Sequence, residues 1–227
     1  MTKIKKIKKY NFLFAALCLF IVSISTHADG IRFEETMAGY GSVDGIYRPM
    51  RVNLNVNIDD LDTWENNINH TANITGEMLI EGLPTNTVNG TLNIFSPSTT
   101  QSCPPSVDSC YHLVYSLKIN DGSAIPNYFV GFKTVSNDAG FDMIDDLTTL
   151  QACFTQNPNL PLEDYLSDDC RSTIQVEWWK DWVLWDFYWS FEVYNKPWYR
   201  WSLTVKLQFL KVVFGPVAET YFGWLSW

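Results

Sequence analysis

The stretch "RVNLNVNID" alternates without a fault from Arg51 to Asp59, with Val52, Leu54, Val56 and Ile58 on one side and Arg51, Asn53, Asn55 and Asn57 on the other. A period of two is the mark of a strand with one buried and one wet face. Further strands are expected at 70–81, 91–95, 111–120 and 127–135, with a less regular one at 147–154. They are separated by turn-rich segments such as "EGLPTNTVNG", "NDGS" and "SNDAGFD". Short antiparallel strands joined this way make a sandwich or a barrel, so the fold class is mainly β.

The first 28 residues stand apart. Five lysines precede an apolar run from Phe12 to Ile24, and the small residues Thr26 and Ala28 follow. This is the pattern of a secretory leader cut after Ala28. The apolar run is too short to span a bilayer. The expected mature chain is a single domain over 29–227, with a β body at 29–177 and a helical, aromatic-rich cap at 178–227, located in the periplasm or secreted. Without the leader's five lysines, eleven basic residues face 25 acidic ones, a net charge of −14. Such a surface repels phosphate backbones, which argues against nucleic-acid partners.

Export also exposes the cysteines to oxidation. Cys103, Cys110, Cys153 and Cys170 remain after the leader is removed, and three pairings are open to them. Proximity in the chain favours Cys103–Cys110 and Cys153–Cys170, each closing a polar loop. Neither spacing suits a metal site, and none is expected.

After Cys170 the period changes. A short strand at 173–177 gives way to Trp178, Trp182, Trp185 and Trp189, which step by four, three and four and share one helical face. Seven of the ten tryptophans lie between Val176 and Trp201. Stripes of this kind form cores. Yet Trp178 and Trp179 are adjacent and must point apart, which leaves aromatic surface over for a ligand. Trp178, Trp182, Trp185, Trp189, Trp198 and Trp201 are therefore the candidate ligand-binding residues, because an indole joins an apolar body to a polar handle. The same property suits a peripheral membrane contact. Past Pro197, Leu203, Leu207, Leu210 and Phe214 form a second apolar stripe, with a break or kink expected at Gly215-Pro216.

Signs of catalysis are sparse. The mature chain has two histidines, His70 and His112, and no GxSxG elbow. Gly39, Gly41 and Gly45 fail the dinucleotide spacing and no preceding strand is expected, so no cofactor is called for. Carboxylates gather at Asp59, Asp60, Asp62 and Glu65, and again at Asp138, Asp142, Asp145 and Asp146, where turns and helix caps account for them.

Several segments taken in order, "FEETMAGYGS", "NVNIDDLDTWENNINHTANITGEMLIEGL", "GTLNIF", "LVYSLKINDGSAIPNYFVGFKTVSNDAGFDMIDDLTTLQ" and "FLKVVFGPVAETYFG", resemble a known pattern. It is that of the β-rich accessory domain beside the flavin domain of some cholesterol-oxidase-like GMC oxidoreductases and in some lipase-like proteins. The resemblance implies a lipid- or sterol-related role. It implies no oxidation, because the flavin domain and its glycine fingerprint are absent.

The leading expectation is an exported, non-enzymatic domain that binds a lipid-like or sterol-like molecule or a lipid-active enzyme partner. Two alternatives stand beside it: a lipid or ester hydrolase built on His70 or His112, and a small outer-membrane β-barrel.

Overall fold

In the computed structural model the residues described are 29–97, 110–120, 126–136, 143–158, 172–176, 191–195 and 201–222. Nine strands are described: β1 (Gly30–Val43), β2 (Ile46–Ile58), β3 (Thr71–Ile80), β4 (Asn86–Pro97), β5 (Cys110–Asn120), β6 (Tyr128–Ser136), β7 (Thr149–Thr155), β8 (Ser172–Val176) and β9 (Glu192–Tyr194). Three helices accompany them: α1 (Leu61–Glu65), α2 (Met143–Thr148) and α3 (Ser202–Phe222).

Every ladder is antiparallel, and β1 pairs with both β2 and β8. That double pairing closes β1 to β8 into a barrel and decides between the two expected architectures. Closure removes the open edges that a sheet of this size would otherwise expose. β9 is the extra strand. It takes the same edge of β1 as β8 but at the other end, Gly30–Arg32 against Met37–Tyr40, so Phe33 to Thr36 lie between the two ladders.

The alternation read from Arg51 sets the wall. Val52, Leu54, Val56 and Ile58 are buried inside, as are Ala72, Ile74, Met78 and Ile80 on β3 and Val88, Leu92 and Ile94 on β4. The turn that starts the barrel is local chemistry. Asp44 and Gly45 both have positive φ, 52° and 73°, and sit between the paired residues Val43 and Ile46. Two left-handed residues in succession make the tight turn whose twist matches the strands it joins. β1 itself has no counterpart among the expected strands, and it contains Gly39 and Gly41. Its inward row, Ile31, Phe33, Glu35 and Met37, carries a charge where an apolar residue is expected.

Near one end of the barrel Met50, Ile80, Val88, Ile119 and Phe129 are buried. At the other end lie α1 and α3. α3 departs from its expected stripe, since Leu203 and Leu207 are 52% and 55% exposed while Val205, Phe209 and Val217 are buried. The rim of the barrel selects the face, and both Val205 and Phe209 are one turn apart on it. The helix also continues through Gly215 and Pro216 to Phe222 without the expected break. The expected strand at 147–154 begins two residues late, because 143–148 forms α2. No helix among the described residues is long and apolar enough to cross a membrane, which says nothing of strands.

Candidate functional site

Three polar side chains meet inside the barrel. Glu35 comes from β1, Tyr115 from β5 and Lys133 from β6, and they are 5%, 1% and 1% exposed. Each occupies an inward position of its strand, between Phe33 and Met37, between Leu113 and Leu117, and between Gly131 and Val135. Tyr115 lies opposite Gly131 across the β5–β6 ladder, and Leu113 lies opposite Lys133. Gly131 has no side chain because β7 runs close there, where a Cβ would meet Ala152 Cβ at 2.6 Å and the Gln151 carbonyl oxygen at 2.8 Å. Lys133 is thus diagonal to Tyr115, with its ammonium 5.2 Å from the ring centroid.

Glu35 joins the other two. Lys133 Nζ donates to Glu35 Oε1 at 2.5 Å, and Tyr115 Oη donates to Glu35 Oε2 at 2.8 Å. Burial pushes the Tyr115 phenol well above its ordinary range, and the neighbouring Glu35 charge and hydrogen bond push it the same way. Buried charges need both a counter-charge and hydrogen bonds to be tolerated, and this cluster supplies each.

Around the cluster the surroundings are apolar. A small space of about 50 Å³ is lined by Glu35, Tyr115 and Lys133 and by Leu92, Leu113 and Leu147 among others, with Phe209 and Val213 of α3 on its side. That volume holds a few waters but not a lipid. α3 is seated by aromatic contacts, with the Phe209 ring 5.8 Å from Phe33, 5.2 Å from Phe191 and 5.6 Å from Trp64. Polar contacts hold it to α1, where Gln208 Nε2 donates to Asp62 Oδ1 and Glu65 Oε2 at 2.9 and 2.6 Å. A larger groove of about 700 Å³ lies on the outside, against Arg32, Glu34, Asn55 and Asn73. It lies along the outward rows of the strands, and the Arg32–Glu192 ion pair beside it is exposed. We therefore regard the interior as the site.

Of the aromatic residues expected to bind ligand, Trp201 is 76% exposed just before α3. Trp178, Trp182, Trp185, Trp189 and Trp198 lie outside the described residues, as do Cys103 and Cys170. Cys110 and Cys153 are each disulfide-bonded. The histidines are far from the cluster in role. His70 has a φ of 41°, sits 3.2 Å from the Ile94 carbonyl through Nδ1, and packs tilted against Trp64 with ring centroids 5.0 Å apart. His112 is on the outward row of β5, 3.2 Å from Thr134 Oγ1 and edge-on to Phe132.

The carboxylates of "IDDLDTWE" have structural duties. Asp60 caps α1 by accepting from Thr63 N at 3.1 Å and from Thr63 Oγ1 at 2.7 Å. Those bonds, the hydroxyl's first, lower the Asp60 pKa. Asp146 of the second group accepts from Ser136 N at 2.8 Å. Among the described residues no group of three or more His, Cys, Asp or Glu gathers as a metal site would.

Sequence reasoning missed Glu35, Tyr115 and Lys133. A signal existed: Glu35 falls in phase with Ile31, Phe33 and Met37, and Lys133 with Phe129, Gly131 and Val135. A charge in the apolar phase of a strand is the feature to look for. No family model, curated protein or solved structure matches the chain, and so none of these comparisons links it to the accessory domain that its segments resemble.

Proposed function

We propose that this chain is an exported barrel that binds a lipid-like or sterol-like molecule beneath α3, with the ligand's polar head against Glu35, Tyr115 and Lys133. The observation that carries this reading is a buried, mutually bonded charge cluster beside a small pocket whose other described lining residues are apolar. Structure alone gives no reason to keep such a cluster, because apolar side chains of similar size would hold the barrel at least as well. A few convergent polar groups in an apolar pocket are the usual make-up of a small-molecule site. Entry requires α3 to move, since the space is too small for a lipid. The resemblance supports the same ligand class, and Glu35 and Lys133 both fall in segments that carry it. The leader argues for export, and with it for bridges Cys103–Cys110 and Cys153–Cys170.

The polarity of the wall weighs against an outer-membrane barrel. Asn53, Asn55, Asn73, Asn89 and Thr91 face outward on β2, β3 and β4, where lipid would demand apolar side chains. The hydrolase reading has no support at His70, whose ring is held by a backbone carbonyl and an indole.

Native mass spectrometry of the full chain incubated with cholesterol or with oleyl alcohol tests the reading. A one-to-one adduct is expected with at least one of them. It should vanish in Glu35→Leu/Tyr115→Phe/Lys133→Met, a variant expected to remain folded. Absence of any adduct on the unaltered chain would reject the proposal.

A further inference from the structure

We infer that the interior site selects ligands with an uncharged polar head, an alcohol or a carbonyl, over fatty carboxylates. This rests on the reading of the interior as a ligand site. Glu35 and Lys133 are bonded to each other and both border this space. Their charges cancel. Tyr115 adds a hydroxyl and, with its ionisation pushed upward, no charge at neutral pH. The residents are thus electroneutral before any ligand arrives.

A carboxylate would bring a negative charge with no cation left to meet it. Lys133 is the one ammonium among the described residues bordering the space, and Glu35 already holds it. An unmatched buried charge is strongly unfavourable. A hydroxyl has no such difficulty. Lys133 has three donors and uses one on Glu35, while the Glu35 carboxylate has lone pairs beyond those taken by Tyr115 and Lys133. An alcohol oxygen accepts from the first and its proton is donated to the second.

A fatty acid can enter only together with a proton. Among the described residues the titratable groups bordering the space are Glu35, Tyr115 and Lys133. Arg32 and Glu34 take the outward row of β1, Asp146 of α2 is engaged by Ser136 N, and Asp145 of α2 with Lys206 and Lys211 of α3 do not border it. Protonating a carboxyl of ordinary pKa, about 4, at pH 7 spans roughly three pH units, or ~1000-fold in affinity.

Isothermal titration calorimetry of the full chain with oleyl alcohol and with oleic acid at pH 6, 7 and 8 reads this directly. The movement of α3 is common to both ligands and cancels in the comparison. We expect the alcohol to bind at least ~100-fold tighter at pH 7 with no pH dependence, the ratio above setting the scale. The acid should gain about tenfold per unit of falling pH and take up close to one proton, measured by repeating the titration in buffers of different ionisation enthalpy. Glu35→Gln removes the resident anion, so the acid should then become the tighter ligand and lose its pH dependence. If that variant does not fold, the slope on the unaltered chain decides. An acid that binds as tightly as the alcohol at pH 8 without proton uptake would overturn the inference and leave the lipid reading intact. Failure of both ligands to bind would overturn the two together.

Discussion

The wall built from β2, β3 and β4 and the wall built from β5 and β6 solve the same problem differently. In the first, apolar residues point in, and the outward rows are Arg51, Asn53, Asn55 and Asn57 on β2 and Thr71, Asn73, Thr75 and Glu77 on β3, with Leu79 apolar among them. In the second, Tyr115 and Lys133 point in while Val130 and Phe132 point out and are still buried. One wall obeys the pattern that makes a barrel stable; the other departs from it on both faces. β1 sides with the second, because its inward row includes Glu35. A departure that gathers three polar groups at one place points to use rather than to support.

The sharpest way to break the comparison is to remove one partner of the cluster. Lys133→Met leaves Glu35 buried with only the Tyr115 hydroxyl, and breaking a buried pair from one side typically costs about 3–5 kcal/mol. Replacing all three at once, Glu35→Leu/Tyr115→Phe/Lys133→Met, should instead be neutral or stabilise by roughly 1–4 kcal/mol, because no charge is stranded. Urea unfolding of both variants checks the pair of outcomes. A triple variant as unstable as Lys133→Met would mean that the cluster is structural, and the two walls would then differ only in detail.

The regular wall has its own weak point. Gly90 on β4 lies in the ladder where a Cβ would run into the Ser116 carbonyl oxygen of β5, so the strands approach too closely for any side chain. Gly90→Ala forces the ladder apart and should destabilise by about 1–3 kcal/mol, as overpacking does. Thermal unfolding measures it. The effect should be smaller than that of Lys133→Met, since a backbone shift relieves a clash more readily than a stranded charge is relieved.

How much of this was legible follows the same division. The strands at 51–59, 70–81, 111–120 and 127–135 show themselves through alternation and turns, and the closed barrel is one of the two architectures that those strands allow. β1 was hidden because Glu34, Glu35, Gly39 and Gly41 blur its apolar phase, although Ile31, Phe33 and Met37 keep it. The buried face of α3 was hidden for another reason. Leucines are more apolar than the Val205 and Phe209 pair on average, but position on the rim decides which row meets the barrel. The cluster was least legible of all. Residues 35, 115 and 133 are joined only once the wall closes, and no spacing along the chain encodes that meeting.

Tyr194 and Tyr115 offer the gentlest test, since one tyrosine sits at the rim of the regular wall and the other within the cluster. The Tyr194 hydroxyl is placed against Asn57 Oδ1, the Ile58 carbonyl and Asp59 Oδ1 at 2.9, 3.0 and 2.9 Å. Its pKa is raised to about 12, by burial first and then by the Asp59 carboxylate. The folded state therefore keeps a proton that an unfolded tyrosine releases above about pH 10. Stability from this contact is full below pH 10 and falls as pH rises toward 12. Tyr194→Phe should flatten that part of the stability curve by a small amount, because the group is only partly buried and solvent screens it. Tyr115→Phe should act over the same window and beyond, and more strongly, since its phenol is fully buried beside Glu35. Urea midpoints at pH 9, 10 and 11 for the two variants compare them, and equal losses would mean that burial of the cluster contributes nothing that the rim does not.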